Sequence, residues 1–321
     1  MFAGSEEDDR QVVFSGPHFK ATFDKQSGLL VSYRYKKQEY IHNGQGPRPF
    51  FWRAPTDNDY GAKLPIRLKA WKEASYQEPK AESFNVVRDK DITAVKVTYR
   101  FPQTDARWDI TYKVYGNGVI KVDNHFVAEN AQTPMIPRVG LRMQLPARIT
   151  SLTYYGRGPE ENYRDRRTSQ FIGEYTSGIQ DMYEPYVRPQ ENGHRTDTRW
   201  VELTRKGGKG LLIRADSTIG FNALRNSVED FDSEEAISRP RQWTNFTPEE
   251  VANHNEEKAK NVIRRMTHVN DITPRNFVEV CIDMKQQGIA GYDSWGDRPL
   301  PEHTLPANKE YHWGFTLMPV K

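Results

Sequence analysis

Paired carboxylates are the first chemistry to look for in this sequence, because two acids flanking a glycosidic bond can hydrolyse it. Glu160 and Glu161 are adjacent in the segment GRGPEENYRDR, residues 156–166. Adjacent residues of an extended loop point in opposite directions, so these two glutamates form a poor acid and base pair.

A second acidic pair, Asp57 and Asp59, lies in the segment RAPTDNDYG, residues 53–61. On an extended segment, residues two apart face the same side, and with the backbone of Asn58 they could hold Ca²⁺. Aspartates beside Thr, Asn and Gly also form turns and cap helices. The sequence leaves both uses open.

Three polar loops, residues 53–61, 156–166 and 181–200, each place Arg, Asp or Asn beside an aromatic residue. This mixture suits sugars, because aromatic faces stack on a pyranose while guanidinium, amide and carboxylate groups meet its hydroxyls. The alternative is that the charged side chains pair with one another and hold the loops against the body of the protein.

Other catalytic motifs are missing from the sequence, which contains no HExxH, CxxC, GxSxG or phosphate-binding Gly loop. His303 and His312 have a spacing that fits no ligand pair. Cys281 lies in an apolar run, which predicts a core residue. For the acid and base chemistry of a sugar epimerase, His194 beside Glu191 is the one candidate pair.

A tryptophan occupies a loop-forming segment, GYDSWGDRP, residues 291–299. Trp295 stands there among Gly, Asp, Ser and Pro, which mark turns and loops. Such a tryptophan either anchors the loop in a core or offers its flat face to a ligand, since the indole is a large, rigid apolar surface.

The composition is that of a globular protein and argues against several partners. The 321 residues carry 46 basic and 43 acidic side chains, a net charge of +3, which favours neither nucleic acid nor an anionic membrane. The N-terminus lacks a signal-peptide pattern. We expect a linker over residues 1–14 and one domain over residues 15–321, with the compartment, cytoplasm or periplasm of a bacterium, left open.

Short alternating strands dominate the rest of the chain. Residues 95–101, 108–114, 139–145 and 311–317 alternate apolar and polar side chains. YGNGV, residues 115–119, provides a hairpin turn between two of these strands. This pattern predicts an all-β protein with large antiparallel sheets packed as a sandwich.

Helical signals are few. Residues 247–264 combine a Thr cap, a Pro in the first turn and a capping box, which predicts a helix. A shorter helix is expected at residues 65–74. We interpret the first as part of a helical insertion between strands, over about residues 237–264.

Four segments in this order carry a family resemblance: FWRAPTDNDYG, YYGRGPEENYRDR, DMYEPYVRPQENGHRTDTRW and GYDSWGD. Together they resemble the C-terminal small-chain domain, the fifth domain, of the lacZ-type β-galactosidases of glycoside hydrolase family 2. The resemblance runs from about residue 15 to the last predicted strand. It implies a large antiparallel super-sandwich, similar in fold to galactose mutarotases.

The resemblance also implies substrate-binding residues. In that family the Trp of the Asp-Ser-Trp loop reaches into the active site of the catalytic barrel and stacks on sugar, mainly on the aglycone side. The matching residue is Trp295, with Asp293 and Gly296 setting the shape of its loop.

The segment 156–166 resembles the mobile active-site loop of that family. Gly156 and Gly158 would be its hinges, because glycine absorbs dihedral change without strain. The residues carried on this loop would be Arg157, Pro159 and Glu160.

The resemblance places the reaction itself outside this chain. The catalytic glutamates of the family, with their Mg²⁺ and Na⁺ sites, belong to a barrel that precedes this domain. We therefore expect no cofactor in this domain, an upstream barrel and sandwich domains as partners, a galactoside substrate, a homo-oligomeric full enzyme and no activity of this chain alone. The alternatives are a freestanding carbohydrate-binding module and a mutarotase-like epimerase.

Overall fold

The structure, a computed structural model, describes residues 4–88, 93–128, 135–232, 268–289, 291–293 and 296–320. The helical insertion predicted over residues 237–264 and the side chain of Trp295 lie outside the described residues. Within the described ranges, no helix has the length and apolar character that crossing a membrane requires.

The described strands form two sheets, and every pairing in them is antiparallel, as the sequence predicted. The small sheet has five strands in sequence order. These are β1 (Gly4–Glu7), β2 (Gln11–Ser15), β3 (Phe19–Asp24), β4 (Leu30–Tyr35) and β5 (Gln38–Glu39).

The large sheet contains the other 12 described strands. These are β6 (Arg48–Phe50), β7 (Ser83–Arg88), β8 (Thr93–Phe101), β9 (Ala106–Val114), β10 (Ile120–Ala128), β11 (Arg138–Pro146), β12 (Ser151–Gly158), β13 (Phe171–Gly178), β14 (Arg195–Thr204), β15 (Gly210–Leu224), β16 (Phe277–Gln286) and β17 (Glu310–Val320). The main path runs β13-β12-β14-β15-β17-β10-β9-β8-β7, and β16, β11 and β6 branch from it.

The long strand β15 makes this branch possible. Its first half, Gly210 to Ala215, pairs with β17, whereas its second half, Gly220 to Leu224, pairs with β16. β16 in turn pairs with β11, and both strands are buried on their two faces over most of their length. β11 and β16 therefore run through the interior, and the loops at their ends converge with those of β12 and β14.

Aromatic side chains fill the core between the layers. The ring of Phe51 lies 4.9–5.3 Å from four others, those of Trp71, Phe101, Trp108 and Phe126. The small sheet packs on the large one partly through Phe23 of β3, whose ring is 5.1 Å from that of Tyr112 on β9.

Helices are short in the described residues: α1 (Asp57–Gly61), α2 (Leu64–Arg67), α3 (Lys69–Tyr76) and α4 (Val228–Phe231). The helix predicted over residues 65–74 is present as α2 and α3, which meet at Leu68. Trp71 of α3 is fully buried against Phe51, so this helix covers one end of the core.

The predicted hairpin is confirmed, whereas the predicted N-terminal linker is partly wrong. The hairpin predicted at residues 115–119 joins β9 to β10, and Gly118 takes a φ of +89° in its turn. The linker expected over residues 1–14 is wrong for residues 4–7 and 11–14, because they belong to β1 and β2, and β2 buries Val12 and Phe14 completely. A linker would leave both side chains in water, whereas alternation in QVVFS places them on the core face.

Candidate functional site

The segment 53–61 is not extended, contrary to the geometry that a shared cation would need. Thr56 caps α1: its hydroxyl accepts a hydrogen bond from the Asp59 N–H at 3.2 Å, and the Asp59 carboxylate accepts one from the Thr56 N–H at 3.1 Å. This reciprocal capping box satisfies backbone donors at the start of the helix. Capping, the second use that the sequence left open, is therefore the one that the structure assigns.

The two aspartates also have separate ionic partners. Asp59 is buried and binds the guanidinium of Arg53 through both oxygens, at 2.8 and 2.9 Å. Asp57 is exposed and binds Arg188 at 2.7 Å. Asp57 thereby connects α1 to Arg188 in the segment 181–200. Asp59 connects α1 to Arg53, which lies between β6 and the helix.

Arg53 links the segment 53–61 to the residues just before the loop of residues 291–297, and sequence reasoning missed it. Beyond Asp59, its guanidinium donates to the carbonyls of Gln287 at 2.8 Å and Gly288 at 2.9 Å. These carbonyls lie just before the loop of residues 291–297. No local pattern could reveal this role, because the partners are more than 200 positions away in the chain.

The loop of residues 291–297 is held against α1 on both sides of Trp295. The side-chain amide of Asn58 donates to the Asp293 carbonyl at 3.2 Å. The Asp293 carboxylate accepts from the backbone N–H groups of Gly296 and Asp297, each at 3.1 Å. This arrangement agrees with the expectation that Asp293 shapes the loop.

Gly296 is required at its position for two reasons. Its φ is +130°, a value that other residues rarely adopt. A Cβ atom there would also lie 2.2 Å from the backbone of Gly61 in α1. The loop can approach the helix this closely only with glycine.

The segment 156–166 differs from the predicted mobile loop. Gly156, Arg157 and Gly158 belong to β12 and pair with β13, so the two glycines are not loop hinges. A Cβ on Gly156 would lie 2.5 Å from the Thr198 hydroxyl, and one on Gly158 would lie 2.1 Å from the Tyr154 hydroxyl. Close packing inside the sheet, rather than hinge motion, explains these glycines.

The other predicted residues of this segment divide between structural and exposed positions. Arg157 binds the Asp197 carboxylate at 2.5 Å and donates to the Gln170 carbonyl at 2.8 Å. Pro159 and Glu160 are exposed in the turn after β12, and the Glu160 N–H donates to the Gln170 side chain at 3.0 Å. The Glu160 carboxylate is thus free to face a neighbouring surface or ligand.

Glu161 and Asn162 join this turn to the segment 181–200. The Glu161 carboxylate accepts from the Gly193 N–H at 2.8 Å and pairs with Arg166. The Asn162 side-chain oxygen accepts from the Thr196 N–H at 3.0 Å. Ion pairs and side-chain hydrogen bonds therefore hold these polar loops against the sheet, as the alternative to direct sugar contact supposed.

A cleft of about 200 Å³ opens between these segments. Its lining comprises Asp165, Gly291, Tyr292, Arg298, Leu300 and His303. Asp165 joins the two sides, because its carboxylate accepts from the Ile289 N–H at 3.1 Å. The side chain of Tyr292 is 88% exposed at the rim. Two of the four motif segments, residues 156–166 and 291–297, thus line an open cleft with an aromatic rim.

A buried charge cluster was also missed by sequence reasoning. Arg138 is fully buried and binds Glu191 at 2.8 Å and Asp283 at 3.3 Å. Burial raises the pKa of Asp283 to about 7, while the charge of Arg138 acts in the opposite direction. One cation faces two carboxylates, so proton uptake by Asp283 brings the cluster closer to neutrality.

His194 and Glu191, the candidate pair for epimerase chemistry, both lie in this buried charge cluster. His194 is buried, stacks on Tyr163 and lies 2.9 Å from the Asn222 side-chain oxygen through Nδ1. Glu191 is likewise buried and bound to Arg138. The structure therefore gives this pair a packing role, with no open position for a sugar.

Acidification is expected to destabilise the protein through His194. Burial lowers the pKa of His194 from 6.5 to about 4, so the unfolded chain binds a proton at a higher pH than the folded chain does. This contribution to the free energy of unfolding is complete above pH 6.5 and falls as the pH drops to about 4, by about 3 kcal/mol at most. Urea unfolding at pH 7, 5.5 and 4.5 measures it.

A His194→Gln variant isolates this contribution from that of Asp283, whose raised pKa lowers stability as the pH rises from about 4 to about 7. The variant should lose less stability between pH 7 and 4.5 than the native chain. Equal losses would show that His194 does not titrate differently in the two states.

Comparisons with known proteins agree with the motif segments. The family model described as "Beta galactosidase small chain" matches residues 15–317. A β-galactosidase of Priestia megaterium is 32% identical over 98% of this chain, and one of Streptococcus thermophilus is 29% identical over 98%. The chain spans 27% of the length of each relative.

Solved structures that align with this chain over most of its length have very different sequences. A putative aldose 1-epimerase of Escherichia coli K12 shares 9% identity at a TM-score of 0.46, with 96% of this chain and 98% of that chain covered. A likeness at this level says nothing about the activity of this protein.

Proposed function

We propose that this chain, which belongs to the β-galactosidase small-chain family, forms one wall of the active site of a larger retaining β-galactosidase. The relatives named β-galactosidase are nearly four times its length, which supports a role as part of a longer enzyme. The two catalytic carboxylates, and the Mg²⁺ and Na⁺ sites expected beside them, then lie in another part of that enzyme, as in glycoside hydrolase family 2. This chain alone is inactive.

The observation that carries the proposal is the anchoring of the loop of residues 291–297. Asn58 and Gly61 of α1 hold Asp293 and Gly296, the positions on either side of Ser294 and Trp295. Contacts that fix Asp293 and Gly296 against α1 reduce the ordering entropy that ligand binding at this loop would cost. This supports Trp295 as the sugar-stacking residue.

The chemistry proposed for the wall is recognition without bond breaking. An indole face packs on the C–H face of a pyranose, while nearby polar groups hydrogen-bond its hydroxyls. Glu160, with an exposed carboxylate, and the cleft beside Tyr292 are the further contact surfaces. In a retaining enzyme, two carboxylates about 5–5.5 Å apart elsewhere would then form and hydrolyse a galactosyl intermediate.

Replacing Trp295 by alanine in the longer enzyme is expected to raise the KM for 4-nitrophenyl β-galactoside about tenfold. Loss of one aromatic stacking contact removes about 1–2 kcal/mol of binding free energy. Trp295→Phe should retain part of the affinity. Steady-state hydrolysis measures both parameters, and kcat should change less than KM because the contact is remote from the proton-transfer groups.

Tyr115→Ala is the matched control, because Tyr115 is an exposed aromatic on the β9–β10 hairpin, outside the four segments. An unchanged KM in Trp295→Ala would contradict the stacking role. Turnover by the purified 321-residue chain would place the catalytic carboxylates within it. Galactoside binding by the chain alone, without turnover, would favour a carbohydrate-binding module.

A further inference from the structure

Two histidines outside the four motif segments meet on the solvent-facing side of the large sheet. His125 of β10 and His312 of β17 are directly opposite in the strand register. Their rings stack at 4.2 Å with an angle of 8° between the planes. Sequence spacing could not indicate this pair, because the two residues are distant in the chain and meet only through strand pairing.

A carboxylate completes the group. Glu310 lies two residues before His312 on β17, and alternation along a strand places both on the same face. Its Oε2 atom is 3.4 Å from Nε2 of His125 and 3.4 Å from Nε2 of His312. One carboxylate oxygen is thus equally close to both imidazole nitrogens.

We propose that His125, His312 and Glu310 form a binding site for a divalent transition-metal ion, with Zn²⁺ as the best fit. Two imidazole nitrogens and one carboxylate oxygen are a donor set that zinc uses. Zinc bonds of about 2.0–2.1 Å in a tetrahedral arrangement place neighbouring ligand atoms about 3.3 Å apart. The two nitrogen–oxygen separations of 3.4 Å match that requirement, and a turn of the exposed His312 ring out of its stacked orientation would direct both Nε2 atoms at one ion.

The state of His125 adds a further observation. Its Nε2 atom is inaccessible to solvent and makes no hydrogen bond within the part of the chain that the structure describes, because the Glu310 carboxylate, at 3.4 Å, is an ionic neighbour only. A metal ion between the two groups would bind a ring nitrogen that is otherwise poorly satisfied. His312 and Glu310 are by contrast largely exposed, which leaves the outer side of the site open to water as a fourth ligand.

The surroundings of His125 suit a ligand histidine. Its other nitrogen, Nδ1, lies 3.7 Å from the carboxylate of Asp109 on β9. Asp109 is itself held by the Thr98 hydroxyl at 2.7 Å and by Arg107 at 3.0 Å. At 3.7 Å the Asp109 carboxylate is an electrostatic neighbour, which favours the proton on Nδ1 and leaves Nε2 for a metal.

A bound ion would connect neighbouring strands of the sheet. His125 lies on β10, whereas His312 and Glu310 lie on β17, the last described strand of the chain. The ion would therefore stabilise the closure of the sheet by β17 in the folded state only. Mg²⁺ should not replace it, because magnesium prefers oxygen ligands.

The test is a Zn²⁺ titration of the intact polypeptide after removal of metals by a chelator. Calorimetry should find a zinc site that is lost or weakened at least about tenfold in His312→Ala and in Glu310→Gln. Zinc should raise the Tm of the native protein by about 3 °C or more, and that of His312→Ala by less. His312 is exposed, so its substitution leaves folding intact.

His268→Ala is the matched control, since His268 is another exposed histidine beside a carboxylate, 3.5 Å from Asp271. It should bind zinc like the native protein. Equal zinc binding by the native protein and His312→Ala would overturn the proposal. Equal losses in His312→Ala and His268→Ala, or an equal Tm shift with Mg²⁺, would overturn it as well.

Discussion

Replacing Arg138 by methionine is expected to lower the free energy of unfolding by about 3–5 kcal/mol. The side chain is fully buried and is the cation between Glu191 and Asp283. Its removal leaves Glu191 as a buried charge without a counterion, and such a loss costs far more than the ion pair itself contributes. Urea unfolding at pH 7 measures the change.

Arg34→Met is the matched control for this prediction. Arg34 forms an ion pair with Glu39 at 3.1 Å, but its side chain is 61% exposed. Pairs of this kind contribute about 0–1 kcal/mol, because water solvates either partner once the other is removed. Losses of similar size in Arg138→Met and Arg34→Met would contradict the description of the buried cluster.

Replacing Arg53 by methionine is expected to destabilise the protein by about 3 kcal/mol and to weaken galactoside binding in the longer enzyme. The substitution leaves the buried Asp59 carboxylate without its bidentate partner. It also removes the donors to the Gln287 and Gly288 carbonyls, which precede the loop of Trp295. Urea unfolding measures the first effect, and the KM for 4-nitrophenyl β-galactoside measures the second.

The effects of Arg53→Met on the free energy of unfolding and on KM are measured separately, and Arg53 would influence KM only through the position of the loop of residues 291–297. Arg188→Met removes a partly exposed ion pair with Asp57 and a cation–π contact with Tyr60, and it should change the free energy of unfolding by about 1–2 kcal/mol, less than Arg53→Met does. A destabilised Arg53→Met enzyme with an unchanged KM would confine Arg53 to a structural role. An unchanged free energy of unfolding would contradict its place in the core.

The sequence by itself determined the all-β class, several of the strands and the family. Alternating side chains located β8, β9, β11 and β17, because a strand that is buried on one face must repeat every two residues. Gly-rich turns located the hairpins, since only glycine takes a positive φ without cost. The four motif segments were long enough to indicate the β-galactosidase small chain, and the family match over residues 15–317 confirms it.

The local sequence was less informative where the same residues are compatible with two different structural roles. Asp57 and Asp59 suit an extended cation loop or a helix cap, and the capping box of Thr56 decides between them. Gly156 and Gly158 suit a hinge or a crowded strand, and the pairing of β12 with β13 decides that. In both cases the deciding partner is a backbone contact that composition does not specify.

Only the tertiary structure decided which charged residues are buried and which distant ones meet. Arg138 alternates with apolar neighbours in β11 as a solvent-facing residue would, yet β11 is covered on both faces, so the charge needs Glu191 and Asp283. His125 and His312 likewise meet through strand register alone. Alternation specifies that a strand has two faces, but what covers each face depends on layers assembled from the whole chain.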